Sequence, residues 1–372
     1  RMESTGKTDN GENKRTDIAQ IGRRELIGRL FEGTGYENCR QLEIKPAEIA
    51  QLEENGKNSC KSSNAKGNSS AENCSIANAS VMNVSASFLE GVDFDLVYTP
   101  LKHLGYKVVL GAIGHLYAAM HQPQGIMVKL AISQRFCAED IVLFFSGMVA
   151  AAKEHSIKQI GFDLLPSCTG MNINISALGV CNIETTAPDK NSLLCLTGNL
   201  GAAFMGLHVL EREKVAFNKI PAEKIKDYVQ PDLSKYKYVL SQYLQPEINP
   251  KTLDQFKEAG IIPCSGRFIT KGLAESVLSL CQQWNLGARI YLNKLPIAAQ
   301  TFEMAEEINM EATTAALNGG DDYKFLFVIP LSEHERFHRE FPNVDIIGHF
   351  TEAEAGAAIV TPEGNILEIK SL

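Results

Sequence analysis

The spacing of apolar and polar positions predicts alternating helices and strands in the first half of the chain. Thr16 and Asp17 are helix-capping residues, and apolar side chains follow them at helical spacing over 18–31. A second helix is expected over 138–155, where the apolar residues fall on one face. The strand-like runs of this half cover 126–132, 159–165 and 171–180. The order strand, helix, strand, strand predicts an α+β layer.

A polar stretch separates this half from a second one with the same alternation. Residues 184–191 are polar and contain Pro188, as is typical of a domain boundary. We therefore expect an N-terminal domain over 17–183 and a C-terminal domain over 184–372. The predicted strands of the second half are 193–196, 324–329, 344–349, 357–360 and 366–369, and its predicted helices are 202–211, 272–284 and 331–341. A long connection is expected over 213–249.

Two segments lack this alternation. Residues 1–16 are polar and charged, so we expect a flexible tail. Residues 55–83 are rich in Asn, Ser, Lys and Gly, which predicts a loop or an irregular strand pair, with order returning at Phe88. Residues 4–8 end like a phosphate-binding P-loop, but the motif needs another glycine where Arg1 stands. We interpret that match as coincidence.

Composition and charge narrow the function classes. The 372 residues, with 44% hydrophobic and 22% charged, fit two globular domains and exclude a wholly disordered chain. The net charge of -8 argues against a nucleic-acid partner, because phosphate neutralisation needs a basic face. The chain shows neither a membrane-spanning run nor a secretory signal, so a cytoplasmic protein without a membrane partner is expected. The nine cysteines form no CxxC pair, which favours reduced thiols.

Two glycine-containing turns are local candidates for ligand binding. The turn 198–201 lies between a predicted strand and helix, where backbone N–H groups meet an anion or simply form a tight turn. In 318–323, two glycines precede Asp321 and Asp322, and paired acids can hold Mg²⁺ against a phosphate. A polar turn that enters a strand is the structural alternative. Three histidines lack the spacing of a metal site, namely His103, His115 and His121.

Collinear similarity to a known family extends from about Thr16 to the C-terminus. It is carried by the segments 90–95, 98–107, 201–207, 316–323 and 346–349. In these segments the chain resembles thiamine-monophosphate kinase, particularly the forms from the Bacteroidetes. The resemblance implies an α+β, two-domain PurM-like architecture, with an N-terminal dimerising domain and a C-terminal α/β sandwich domain. It also implies ATP and Mg²⁺ as cofactors, a homodimer, and phosphoryl transfer from ATP to thiamine monophosphate.

The resemblance assigns binding positions, and this chain keeps few of the family's acids there. The family's Gly-Gly-Asp-Thr-Thr motif falls on 161–165, where Gly161 and Asp163 remain. Its Asp-Ile-Ser-Asp-Gly-Leu motif falls on 268–273, so the implied nucleotide contacts there are Thr270 and Lys271. The substrate contacts fall on Asp93 and Asp321, and the metal ligands on Asp163 and Ser85. Other family positions fall on 67–69, 114–115 and Thr185, where the expected acids and arginine are missing.

These losses lead to the main functional hypothesis. Phosphoryl transfer depends on Mg²⁺ ions held by carboxylates, so their loss predicts weak or absent kinase activity. The leading hypothesis is a dimeric relative of the kinases that binds a nucleotide or another phosphorylated small molecule. The first alternative is an active kinase with a reduced metal set of Asp163, Asp321 and Asp322. The second is a structural partner of an intact paralogue. No catalytic residue is assigned.

Overall fold

The computed structural model describes residues 15–45, 79–221, 229 and 231–370, which form an α+β fold with two sheets. The predicted α+β class is confirmed. The helices are α1 (Ile18–Ile21), α2 (Arg23–Phe31), α3 (Leu101–Ala118), α4 (Ala138–Glu154), α5 (Ala202–Asn218), α6 (Lys237–Leu244), α7 (Thr252–Ala259), α8 (Leu273–Trp284), α9 (Ala299–Glu307), α10 (Ala312–Asn318) and α11 (His334–Glu340). The strands are β1 (Ser80–Leu89), β2 (Gln122–Ile132), β3 (Gln159–Pro166), β4 (Met171–Cys181), β5 (Leu193–Thr197), β6 (Ser265–Ile269), β7 (Gly287–Tyr291), β8 (Lys324–Ile329), β9 (Val344–Thr351), β10 (Ala357–Val360) and β11 (Ile366–Glu368). None of these helices has the length and apolar character that a membrane span requires.

The first sheet has four strands in the order β1, β4, β2, β3. Strands β2 and β3 are parallel and are joined through α4, while the other pairs are antiparallel. Helices α3 and α4 pack closely against each other because glycines stand at their contact. A Cβ on Gly147 would lie 1.9 Å from the carbonyl oxygen of Lys102, and one on Gly105 would lie 2.0 Å from that of Phe144. Any larger side chain would separate the two helices.

The second sheet has seven strands in the order β11, β10, β7, β9, β5, β8, β6. The β7–β10 pair is parallel, and the other pairs are antiparallel. One face packs against α8 through buried residues such as Leu194, Val277 and Leu326. The other face carries Phe325 and Phe327, which belong to the same apolar core as the first sheet.

Helix α3 joins the two sheets and thereby positions the cleft described below. Its residues Val108, Ile113 and Leu116 are fully buried. A Cβ on Gly114 would lie 2.3 Å from Cε1 of Phe268, so the second sheet comes directly onto the helix. Because α3 is covered on several sides, it is apolar almost all round and lacks the one-sided pattern of a surface helix. That is why the apolar periodicity did not predict it.

Most predicted strands and helices are confirmed within a few residues, but three expectations were wrong. The helix expected over 18–31 is two helices, because Gly22 has a φ of 84° between them. Strand β1 already begins at Ser80, ahead of the order expected from Phe88, and it pairs with β4 over its whole length. The connection expected over 213–249 contains α6 and the end of α5.

Several expectations remain untested. Residues 4–8 and 67–69, and most of the expected tail and of 55–83, lie outside the described residues. The boundary expected at 184–191 falls between β4 and β5, which belong to different sheets. The division into domains over 17–183 and 184–372 stays a prediction.

Candidate functional site

A cleft of about 390 Å³ lies between the loop after β1, α5 and the turn 318–321. Four chain segments form its walls. They are the loop 91–98 after β1, the first turns of α5, the end of β6 with Thr270 and Lys271, and the turn 318–321. Tyr243 of α6 completes the lining. Segments that are far apart in the sequence therefore form one cavity.

Lys107 of α3 lies beneath this cleft, and its residue is only 5% exposed. Its ammonium donates to Oδ2 of Asp321 at 2.9 Å and to the carbonyl oxygen of Tyr243 at 3.0 Å. The same Nζ lies 4.0 Å from the centre of the Tyr243 ring. A buried ammonium needs such partners to offset its lost hydration. Lys107 therefore ties α3, α6 and the turn 318–323 together.

The turn 318–323 has an uncommon backbone. Asp321 and Tyr323 have φ values of 57° and 54°, although neither is glycine. Two hydrogen bonds to the end of β6 hold this conformation, from Asp321 N to the Thr270 carbonyl at 2.8 Å and from Tyr323 N to the Ile269 carbonyl at 3.0 Å. Left-handed backbone at non-glycine residues costs energy and often accompanies binding sites. Here it directs the Asp321 carboxylate to the cleft.

Asp322 points away from the cleft into the protein and is 3% exposed. Its Oδ1 accepts from Gly201 N at 2.9 Å, at the start of α5, whereas Oδ2 has no hydrogen-bond partner. Burial raises the pKa of Asp322 to about 8, against smaller opposing effects of the Gly201 N–H and Lys324. The carboxyl group is therefore mostly protonated at neutral pH.

Three further acids line the mouth of the cleft, and each has a partner. Asp93 accepts from Leu89 N at 2.7 Å. Lys214 of α5 lies 2.7 Å from Asp95 and 3.2 Å from Glu211, and Tyr98 donates to Glu211 at 2.6 Å. Burial acts to raise the pKa of Asp95, but the hydrogen bond and charge of Lys214 outweigh it, so that pKa is lowered. Lys214 thus bridges the two sides of the cleft mouth.

The structure brings together four of the residues that the family resemblance singled out. Asp93, Thr270, Lys271 and Asp321 all line the cleft. Lys271 is exposed and, among the described residues, takes part in no hydrogen bond or ion pair. It is therefore available to an anionic ligand.

The other three predicted binding residues lie elsewhere. Ser85, Gly161 and Asp163 belong to the four-stranded sheet and are not in the cleft lining. Ser85 and Asp163 are exposed, with the Ser85 hydroxyl 3.0 Å from that of Ser176. Asp163 pairs in register with Lys129 on β2. Their assignment to nucleotide or metal binding stays a prediction.

The turn 198–201 has a structural role. Gly201 has a φ of 78° and stands immediately before α5. Its N–H already donates to the buried Asp322, and a Cβ at this position would lie 2.9 Å from Ala316 N. Asp322 thus occupies the position that an anionic ligand would take at this helix N-terminus.

Sequence reasoning missed the residues that complete the cleft. Tyr98 and Lys107 lie in the segment 98–107 that carries the family resemblance, but no site role was assigned to them, and Tyr243 falls in a segment expected to be a connection. The one usable signal was Lys107 itself, because a lysine in an otherwise apolar helix requires a buried partner.

The donor set of the cleft does not fit a magnesium clamp. Among the described residues, no three His, Cys, Asp or Glu side chains come close enough together to hold a metal ion. Asp321 is paired with Lys107, and Asp322 is largely protonated and directed to Gly201. Mg²⁺ prefers several ionised oxygen ligands in octahedral geometry. These residues therefore do not form a magnesium site.

The three histidines considered above have separate environments. His103 contacts the side chain of Gln245, and His121 contacts Ser80 and the Ala119 carbonyl. His115 packs edge-on against Phe268, and burial lowers its pKa.

Sequence comparison finds relatives at low identity, and no family model matches. A putative hydrogenase expression/formation protein of Methanocaldococcus jannaschii is 23% identical over 285 residues, which are 72% of this chain and 76% of that protein. The thiamine-monophosphate kinase of Buchnera aphidicola is 25% identical over 300 residues, which are 77% of this chain and 84% of that protein.

Solved structures share the fold over most of this chain. The structure of AaThiL complexed with AMPPCP and TMP has a TM-score of 0.66 and 19% identity, and covers 89% of this chain and 98% of its own. The hydrogenase maturation protein HypE of E. coli has a TM-score of 0.63 and 14% identity. The similarity covers 94% of this chain and 98% of that one. This chain therefore has the PurM-like fold that thiamine-monophosphate kinases and HypE proteins share.

Proposed function

We propose that the cleft binds a phosphorylated small molecule related to thiamine monophosphate, and that phosphoryl transfer from ATP is weak or lost. The observation that carries the proposal is the pairing of the cleft acids with the protein's own cations. Asp321 is held by Lys107, and Asp95 by Lys214. The resemblance assigns Asp321 to substrate binding. Substrate binding can use a single carboxylate, whereas phosphoryl transfer needs several carboxylates to hold Mg²⁺ ions.

The chemistry of the lining suits a cationic aromatic ring with a phosphate. Tyr98 and Phe204 supply aromatic surface, and the acids near them favour a positive ring. Thiamine monophosphate carries a positively charged thiazolium ring and a phosphate. Lys271 is the unpaired cation suited to that phosphate. AaThiL, which shares the fold, is seen with AMPPCP and TMP, which supports the same ligand classes here.

A homodimer is part of this proposal. The face of the four-stranded sheet that carries Ser85 and Asp163 also exposes Val81 and Leu89. A second copy on this face would cover those apolar residues. The proposed dimer would use the proposed N-terminal domain over 17–183, as the family resemblance implies.

Calorimetry of the full chain tests the proposal. Thiamine monophosphate and AMPPCP are titrated separately, with and without Mg²⁺. We expect thiamine monophosphate to bind without a requirement for Mg²⁺, and Lys271→Met to weaken it at least about tenfold because the phosphate loses its cation. Lys153→Met, at an exposed lysine of α4 that lines neither this cleft nor another cavity, is the matched control and should leave binding unchanged.

Turnover distinguishes the alternatives. Transfer from ATP to thiamine monophosphate at about 1 s⁻¹ or faster would contradict weak or lost activity. In that case Asp163→Ala should abolish the reaction if the reduced metal set is used. Absence of thiamine monophosphate binding would contradict the ligand proposal. If the chain then co-purified with a co-expressed active kinase, a structural partner role would replace it.

A further inference from the structure

A second cavity, of about 380 Å³, lies on the seven-stranded sheet and shares no lining residue with the cleft. Strands β5, β7 and β9 and the turns after β7 and β8 form it. Its lining includes the apolar side chains of Leu193 and Ile346. Neither the family resemblance nor the proposed function uses this cavity.

The cavity gathers nitrogen-bearing side chains without partners. Lys294, His334 and His349 line it, and none makes a hydrogen bond or ion pair with another described residue. None of the described residues in the lining is acidic. Lys294 and His334 are exposed and His349 is half-buried, so these three side chains are accessible to a ligand in the cavity.

Two acids close in sequence to this cavity are paired with cations that do not line it. Glu352 lies 2.7 Å from Lys190, and Glu333 lies 3.5 Å from Arg336. The pKa of His349 is lowered, first by burial and then by the positive charges of Arg289 and Lys294. His349 is therefore a neutral hydrogen-bonding group at pH 7, with two positive charges near it.

One wall of the cavity is aromatic. The rings of Tyr291 and His349 are nearly parallel, at 30°, with their centres 5.8 Å apart. The Nζ of Lys294 lies 5.4 Å from the centre of the Tyr291 ring. A planar ligand ring could pack against such a wall while its anionic group contacts Lys294. The volume lies within the usual range of small-molecule sites, about 300–1,000 Å³.

We propose that this second cavity binds a small aromatic heterocycle that carries one anionic group, of the size of a nucleoside monophosphate. The ring packs between the apolar floor and the Tyr291–His349 pair. The anionic group is bound by Lys294, with His334 and His349 as further hydrogen-bonding groups. The site is independent of the proposed function, so either can fail alone.

Titrations of the full chain with AMP, adenosine and inorganic phosphate test this site. We expect saturable binding of AMP and at least about tenfold weaker binding of adenosine and of phosphate, because each has only half of the recognised chemistry. Lys294→Met and His349→Ala should each weaken AMP at least about fivefold, while Lys294→Arg should retain binding. The control Lys153→Met, at an exposed lysine that lines neither cavity, should leave AMP affinity unchanged. Equal urea midpoints would show that the variants are folded.

Three results would overturn the proposal. The first is no saturable AMP binding up to about 10 mM, which is weaker than a useful site. The second is loss of AMP binding in Lys271→Met but not in Lys294→Met, which would place the nucleotide in the cleft. The third is equal affinity for phosphate and AMP, which would indicate a lysine that attracts any anion.

Discussion

The two cavities have nearly equal volumes, about 390 and 380 Å³, but opposite electrostatic organisation. In the cleft, each carboxylate that lines it already has a partner, as in the Lys107–Asp321 and Lys214–Asp95 pairs. In the second cavity, Lys294, His334 and His349 make no hydrogen bond or ion pair with a described residue. A charged side chain in a cavity therefore either stabilises the fold through a protein partner or is available to a ligand. Its hydrogen bonds and ion pairs distinguish these two cases.

The cleft pairs connect elements across the whole chain. Lys107 and Asp321 are 214 residues apart in sequence. Removing one partner therefore affects the contact between α3 and the turn 318–323, whereas removing Lys294 breaks no hydrogen bond or ion pair with a described residue. Measurements of the free energy of unfolding should therefore distinguish the two cavities without a ligand.

The largest expected effect is that of Lys107→Met. The variant leaves the Asp321 carboxylate and the Tyr243 carbonyl without their cation, so we expect the free energy of unfolding to fall by about 3 kcal/mol in urea denaturation. This is the lower end for buried pairs, because the Asp321 side chain is 34% exposed. The control Arg29→Met breaks the exposed Arg29–Glu25 pair and should cost less than about 0.5 kcal/mol. Equal losses in both variants would contradict a structural role for Lys107.

A smaller effect is expected from a change of pH between about 6 and 8 at Asp322. Its pKa of about 8 in the folded protein exceeds the unfolded value, so the folded state holds a proton that the unfolded chain has released. The free energy of unfolding should therefore fall as pH rises, by about 2 kcal/mol between pH 6 and 8. Asp322→Asn removes this titration, and its urea midpoint should fall less over the same range. A parallel decline in both proteins would show that Asp322 does not carry the dependence.

The smallest expected effect on stability is that of Lys294→Met. Because Lys294 has no hydrogen bond or ion pair with a described residue, its urea midpoint should equal that of the unchanged protein. The same variant is expected to bind AMP more weakly. A drop in midpoint like that of Lys107→Met would mean that Lys294 supports the fold, and the contrast between the two cavities would not hold.

The α+β class and most of the strands could be predicted from the amino-acid sequence, because the spacing of apolar residues reflects which face of an element is buried. It also indicated Asp93, Lys271 and Asp321 through similarity to known kinases, and the structure places them in one cleft. Helix α3 was not visible, since it is buried on several sides and its apolar pattern has no single face.

Only the tertiary structure decided which charges are paired. Asp321 and Asp322 are neighbours in sequence, yet one lies beside Lys107 at the cleft and the other is buried against Gly201 with a raised pKa. Likewise, Lys294 and His349 come together only through the pairing of β7 with β9. The physical reason is that charge interactions depend on distance and burial in three dimensions. Apolar periodicity, in contrast, is a property of neighbouring residues in the sequence.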